Sequence, residues 1–352
     1  MFIEKDFIIN SQKIITSAPK KLEIKAEAPS NIALVKYWGK TDVQIPINPS
    51  ISFTLNKSKT VTKAQLELLK TQQKHIHFEF YLDNERKKEF ETKIAVFFER
   101  IFPYAPFINL YKWKLKSKNS FPHSSGIASS ASGCAALAKI IINLEKQLYP
   151  NQPDTYYQRK TSFLARLGSG SAARSTEQPV MIWGKHPEIP ETSNLYAIKN
   201  DFKLHSVFHD FQNTIVLVDK DKKQISSTTG HQIMNNHPYK IIRKNQAFEN
   251  TYKMYQILQN GNLEDFIKIT EAEALTLHAL MMTSEPNYIL MKPQTLQLMH
   301  QIREIRQNKN LPVCFTLDAG ANIHILYPKP IQQELKNLLF DNLKQDMIFD
   351  YL

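Results

Sequence analysis

The sequence predicts an α+β fold in which two halves share a cleft, and two observations carry that prediction. Strand-like and helix-like segments occur on both sides of a loop-rich stretch, 185–210, that holds Pro187 and Pro190, so each side can build its own layers. The chain has 352 residues, 42 % of them hydrophobic, which is enough for two cores. The expected division is 1–200 and 201–352.

Each element follows from periodicity. Leu22 to Ala28 alternates apolar and polar residues, as a strand with one buried face does. Ile51 to Leu55, Val61 to Leu69 and His75 to Leu82 read as further strands, and Phe90 to Phe102 has helical spacing. Tyr111-Lys112-Trp113-Lys114-Leu115-Lys116 alternates strictly, which puts its lysines on one solvated face and its aromatics on the other. Ile127 to Leu148 carries a strong apolar stripe and predicts a helix, followed by a second over about 154–167 and a strand at Val180 to Trp183. Beyond the boundary come a buried strand, Thr214 to Val218, and helices over about 238–259, 263–282 and 293–308. A strand pair, Val313 to Leu317 and Ile323 to Tyr327, brackets Asp318-Ala319-Gly320-Ala321-Asn322, and a last helix is expected over about 330–345.

Composition narrows the function. The net charge of +12 fits either an anionic ligand or a general lysine bias. A nucleic-acid surface would interleave aromatics with basic residues on one face. Here Tyr111 and Trp113 fall opposite the lysines, so no nucleic-acid partner is expected. Cys134 and Cys314 lie in apolar runs and read as free thiols rather than a disulfide, in keeping with a cytoplasmic protein. No apolar run approaches the ~20 residues of a membrane span, so no membrane partner is expected.

Of nine glycines, all but Gly184 and Gly261 sit in short segments rich in serine, lysine, arginine or aspartate. Two near-matches mislead. Gly39-Lys40-Thr41 ends like a Walker A loop, but Leu34 stands where its first glycine belongs. Gly168-Ser169-Gly170-Ser171-Ala172-Ala173 fits the loose dinucleotide pattern, yet follows a helix instead of the strand that pattern requires. The run from Phe121 to Gly133 differs from both: small residues and serines lead straight into a helix N-terminus, whose free N–H groups and dipole favour an anion.

Pro122 to Ser130 resembles the phosphate loop of the GHMP kinase superfamily. Ala28 to Lys40, Ala165 to Ser175, Ser226 to Gly230 and Phe315 to Asn322 resemble further motifs of its diphosphomevalonate decarboxylase branch, in the same order. The resemblance implies a GHMP kinase fold with mainly antiparallel sheets flanking the cleft. It also implies an ATP- and Mg²⁺-dependent reaction on mevalonate 5-diphosphate, giving isopentenyl diphosphate, ADP, phosphate and CO2. A homodimer is the usual assembly of relatives.

The site residues follow from the same resemblance. Asp318 is expected to accept or orient the proton of the substrate's tertiary hydroxyl. Lys40 is expected beside it, Arg174 on the substrate carboxylate, and Ser227 near the reacting centre. Asn31 is expected to position the Lys40–Asp318 pair. Lys36, Tyr37, Ser169, Gly170 and Ser171 would hold the diphosphate. Ser124, Ser125, Gly126, Ser129 and Ser130 would hold ATP, with Ser130 the Mg²⁺ contact. Trp38 reads equally as a core aromatic, and His278 reads as a packing histidine ahead of a cleft-facing one. Gln178-Pro179 departs from the family pattern and puts the local geometry before Val180 in question. The nearest alternative is a sister enzyme that only phosphorylates mevalonate or its monophosphate, or that decarboxylates the monophosphate.

Overall fold

A computed structural model describes residues 1–9, 18–71, 75–122, 127–219 and 227–352. The first half runs β1 (Lys21–Val35), β2 (Lys40–Thr41), β3 (Ile45–Pro46), β4 (Ser50–Leu68), β5 (Phe78–Leu82), β6 (Glu85–Arg86), α1 (Lys88–Ile101), β7 (Tyr111–Asn119), α2 (Ser129–Leu148), α3 (Asp154–Gly168), β8 (Val180–Trp183) and β9 (Ala197–Lys199). The second runs β10 (Gln212–Leu217), α4 (Ser227–Ile233), α5 (Lys240–Asn260), α6 (Leu263–Met282), α7 (Pro293–Lys309), β11 (Cys314–Thr316), β12 (Ile323–Tyr327), α8 (Gln332–Leu338) and β13 (Asp346–Tyr351).

β4 organises the first sheet. It pairs antiparallel with β1 along its length, with β8 through Ser50–Phe53, and with β7 through Thr60–Leu68. The strand order is β6-β5-β7-β4-β8-β9, and of its pairings only β5 with β7 is parallel. The two strands expected at 51–55 and 61–69 are thus one continuous strand. β7 buries Tyr111, Trp113 and Leu115 and exposes Lys112, Lys114 and Lys116, as its alternation predicts. The strand after Gln178-Pro179 keeps its pairing: Val180 opposes Phe53, and the Pro179 carbonyl accepts from the Thr54 N–H at 2.9 Å.

The second sheet, β11-β12-β10-β13, is antiparallel throughout. Its last strand was not expected. Asp350 on β13 is buried and accepts from the Lys57 and Ser58 N–H groups at 2.8 and 2.6 Å. It thereby satisfies backbone donors where the β1–β4 register slips, Pro29 facing Lys59 but Asn31 facing Thr54. The expected helix over 330–345 shortens to α8, because the chain turns at Phe340–Asn342 to enter that strand.

The halves share one core. One cluster of buried side chains runs from Ile24, Phe53 and Leu115 to Ile215, Phe266 and Leu326. The rings of Phe53 and Phe266 stack at 5.8 Å across the junction. A second cluster, including Val216, Ile302, Phe315 and Ile325, lies between the second sheet and its helices. Cys134 and Cys314 are both free.

Candidate active site

Where β1 leaves the sheet, its side chains become available to the junction. Val35 is the last paired residue, opposite Ile51, and Lys36 is the first beyond it. From the other half, the loop between β11 and β12 carries Asp318. Two side chains anchor that loop: His278 Nε2 lies 3.2 Å from the Asp318 carbonyl, and the Thr295 hydroxyl donates to the Ala321 carbonyl at 2.8 Å. The two halves meet in an ion pair, with Lys36 Nζ donating to Asp318 Oδ1 at 3.0 Å. The lysine side chain is 2 % exposed and the aspartate 34 %, so the pair is sealed behind and open in front. Burial lowers the Lys36 ammonium below its usual range, and Asp318 opposes that shift.

Arg174 completes the charge cluster. It ends the turn Gly170–Arg174 that follows α3, a helix, so the dinucleotide reading of this segment lacks its required strand. Asn31 Nδ2 donates to the Ser171 carbonyl at 3.2 Å and to Ser175 Oγ at 2.7 Å, tying the turn to β1. The guanidinium is 2 % exposed, donates to Ser50 Oγ, and lies 5.8 Å from the ring centres of both Tyr37 and Trp183. Burial pushes it down to about 10, with the charge of Asp318 resisting. Its Nε has no hydrogen-bond partner among the described residues.

Tyr37 lies against this turn. A Cβ on Gly170 would come within 2.5 Å of the Tyr37 hydroxyl, so glycine is what allows the two to meet. That hydroxyl is buried and unpartnered among the described residues, and burial raises it above the usual phenol range. Ser169 and Ser171 flank the position and are half-buried.

Residues 28–194 match the family described as diphosphomevalonate decarboxylase-like N-terminal domain, and 214–349 match the mevalonate 5-diphosphate decarboxylase C-terminal domain. The diphosphomevalonate decarboxylase of Ganoderma lucidum is 30 % identical over 339 residues, covering 89 % of this chain and 80 % of that one. The chain belongs to the diphosphomevalonate decarboxylase family. The Staphylococcus aureus mevalonate diphosphate decarboxylase structure superposes with a TM-score of 0.81 at 28 % identity, over 94 % of this chain and 96 % of that one. A structure described as MDDEF in complex with MVAPP, AMPPCP and magnesium gives 0.80 at 27 % identity, over 94 % and 97 %. The GHMP kinase fold and the mainly antiparallel sheets expected from the motifs are therefore borne out.

Against these family motifs, the placement of the expected residues is uneven. Asp318, Arg174 and Lys36 converge. Lys40 does not supply the ammonium on Asp318, a correction with a local cause. Gly39 adopts φ +92°, and the chain turns there into the β2–β3 hairpin. Lys40 Nζ instead donates to Gln44 Oε1 at 2.9 Å, within that hairpin. Burial lowers the Lys40 ammonium too, with Arg100 adding to the shift. Asn31 positions the Arg174 turn, not a Lys40–Asp318 pair. Trp38 packs with Met234, Leu277, Leu280 and Met281.

Of the residues expected to hold ATP, Ser129 and Ser130 are the first two of α2, half-buried and exposed respectively, and no side chain caps the helix at Ala128. Such an uncapped N-terminus with hydroxyls fits a phosphate group. Ser124, Ser125 and Gly126 lie outside the described residues. Ser227 begins α4, with its side chain also outside them. No trio of His, Cys, Asp or Glu among the described residues could cage a metal. Mg²⁺ carried on substrate phosphates with one or two protein oxygens needs none.

Sequence reasoning missed three groups. His231 on α4 accepts the Gly39 N–H on Nδ1 at 2.9 Å and lies 4.2 Å from the Tyr37 ring, and burial pushes it down to about 3. Glu273 and Arg243 form a buried pair behind Lys36. A charged residue such as Glu273, standing in the apolar run of α6 between Ala272 and Ala274, was the available signal.

Proposed function

We propose that the chain performs the ATP-dependent decarboxylation of mevalonate 5-diphosphate through the Lys36–Asp318–Arg174 cluster. The observation that carries this reading is the 3.0 Å contact between Lys36 and Asp318, residues from opposite halves of the chain, beside the buried Arg174. Asp318 accepts or orients the proton of the tertiary 3-hydroxyl. The hydroxyl oxygen takes the γ-phosphoryl group, and ADP leaves. The bond between the carboxylate carbon and C2 then breaks, and its electron pair forms the C2–C3 double bond. The C3–O bond breaks in turn, releasing phosphate and CO2. Lys36 balances negative charge at the reacting oxygens.

Arg174 faces the substrate carboxylate, the role its two-armed fork suits. Its unpartnered Nε supports this reading. Tyr37, Ser169, Gly170 and Ser171 take the diphosphate, which offers the lone Tyr37 hydroxyl an acceptor. Ser227 stands near the reacting centre. The 124–126 segment, Ser129 and Ser130 hold ATP, with Ser130 touching Mg²⁺, which when bound offsets phosphate charge. The family neighbour solved with MVAPP, AMPPCP and magnesium supports both cofactors.

Residues 1–200 form the ATP-binding unit and 201–352 the unit that delivers Asp318. A homodimer in the cytoplasm completes the reading. Among the described residues no helix is long and apolar enough to cross a membrane. The test is product analysis from mevalonate 5-diphosphate and Mg-ATP. ADP, phosphate and CO2 in equal amounts are expected; ADP without CO2 would make the chain a kinase.

A further inference from the structure

The backbone at Lys36 has left the sheet, so its N–H and C=O lack ladder partners. Side chains take both. The N–H donates to Glu273 Oε2 at 2.9 Å, and the carbonyl accepts from Asn48 Nδ2 at 3.0 Å and Arg243 Nη2 at 3.1 Å. Glu273 is 0 % exposed and its carboxylate is saturated. Oε1 accepts from Arg243 Nη1 at 2.8 Å and Asn250 Nδ2 at 2.7 Å, and Oε2 accepts from Arg243 Nη2 at 2.6 Å as well as from Lys36. Five residues further along the same helix, His278 meets the Asp318 carbonyl at 3.2 Å. One helix, α6, therefore grips the main chain at both ends of the ion pair.

We propose that Glu273, held by Arg243, is a positioning residue for the decarboxylation: it sets the backbone of Lys36, as His278 sets that of Asp318, so that α6 fixes where ammonium and carboxylate meet. A buried ion pair is a poor source of stability, since apolar residues of similar volume serve as well or better. Its value here is directional. Arg243 aligns the carboxylate, the carboxylate and Arg243 together fix one peptide unit on each side of Lys36, and the four-carbon lysine stem then has a set origin. Catalytic geometry is sensitive at this scale, because small misplacement of a reacting group costs rate out of proportion to binding.

The inference rests on Lys36 belonging to the reacting centre, and the experiment separates the two. Glu273→Gln, Lys36→Met and the double variant are compared in the whole enzyme by CO2 release, with folding followed by thermal melting. Glu273→Gln should lower kcat roughly tenfold or more while KM for ATP stays within about twofold, since the ATP groups lie on other elements. In the Lys36→Met background the same substitution should cost nothing further. A near-normal kcat for Lys36→Met alone would remove Lys36 from the centre. An equal loss from Glu273→Gln with or without Lys36 would make Glu273 a general structural residue and overturn the proposal, as would a folded Glu273→Gln enzyme of ordinary kcat. If Glu273→Gln does not fold, Arg243→Lys replaces it, keeping the charge but losing the fork. The same cycle then decides, and failure of both to fold also overturns the positioning role.

Discussion

Among the described residues, two lysine–carboxylate pairs have a buried lysine, and their surroundings divide them. Lys160 Nζ lies 2.9 Å from Glu145 between α2 and α3, with side chains 0 % and 1 % exposed. Lys36 and Asp318 meet at 3.0 Å, but the aspartate is 34 % exposed. Burial shifts the first pair toward neutrality from both sides, lowering Lys160 and raising Glu145. It is a closed contact with Tyr156 as its further neighbour, 3.2 Å from the ammonium. The second pair has one face toward solvent, a buried arginine beside it and a helix holding its backbone. The same chemistry is thus closed off where every side is covered, and accessible to a substrate where one side is left open.

Substitutions sharpen that division, beginning with the largest effect. Asp318→Asn should cut turnover by at least about 10²-fold with little loss of substrate binding, read by steady-state kinetics and ligand titration. Near-normal turnover would remove the open pair from the chemistry. Lys36→Met should cost roughly tenfold more in kcat than Lys40→Met, because only the former contacts Asp318; the reverse order would restore Lys40 to the centre. Lys160→Met should do the opposite of both. It leaves Glu145 buried without its partner, at a cost of about 3–5 kcal/mol in unfolding free energy, while kcat per folded molecule is unchanged.

The smallest effect concerns two buried histidines, His278 beside the open pair and His231 against Tyr37. Burial pushes His278 down to about 4 and His231 to about 3 from 6.5, so the unfolded chain binds protons more readily than the folded one. Their contribution to stability is full above pH 6.5, starts to be lost as pH falls below that unfolded value, and is gone once pH has fallen through the folded values, near 4 for His278. For His278 it is on the order of a few kcal/mol. Melting temperature should fall across that window, and His278→Asn should flatten the slope; parallel slopes would contradict it.

Much of this was legible in the chain because it is local. The alternation of β7 predicts which lysines face solvent, the stripe of α2 predicts its burial, and Val180–Trp183 was bounded to the residue. The segments bearing Asp318 and Arg174 could be assigned to one site from their motifs. What escaped depends on distant partners or on a single backbone angle. Lys36 and Lys40 share one motif, and only the end of β1 and the turn at Gly39 decide which reaches Asp318. β13 has too short an alternation to read as a strand, and its buried Asp350 makes sense only beside Lys57 and Ser58. Arg243 and Glu273 lie 30 residues apart on separate helices, and neither has meaning without Lys36.

In the proposed reaction Lys36 and Asp318 act as one unit on the substrate hydroxyl. The most direct measurement is single-turnover CO2 release for Lys36→Met, Asp318→Asn and the double variant. Groups that work as a unit give strongly non-additive losses, so the double variant should be no slower than Asp318→Asn alone, within about twofold. Losses that multiply would show two independent residues and contradict the central claim.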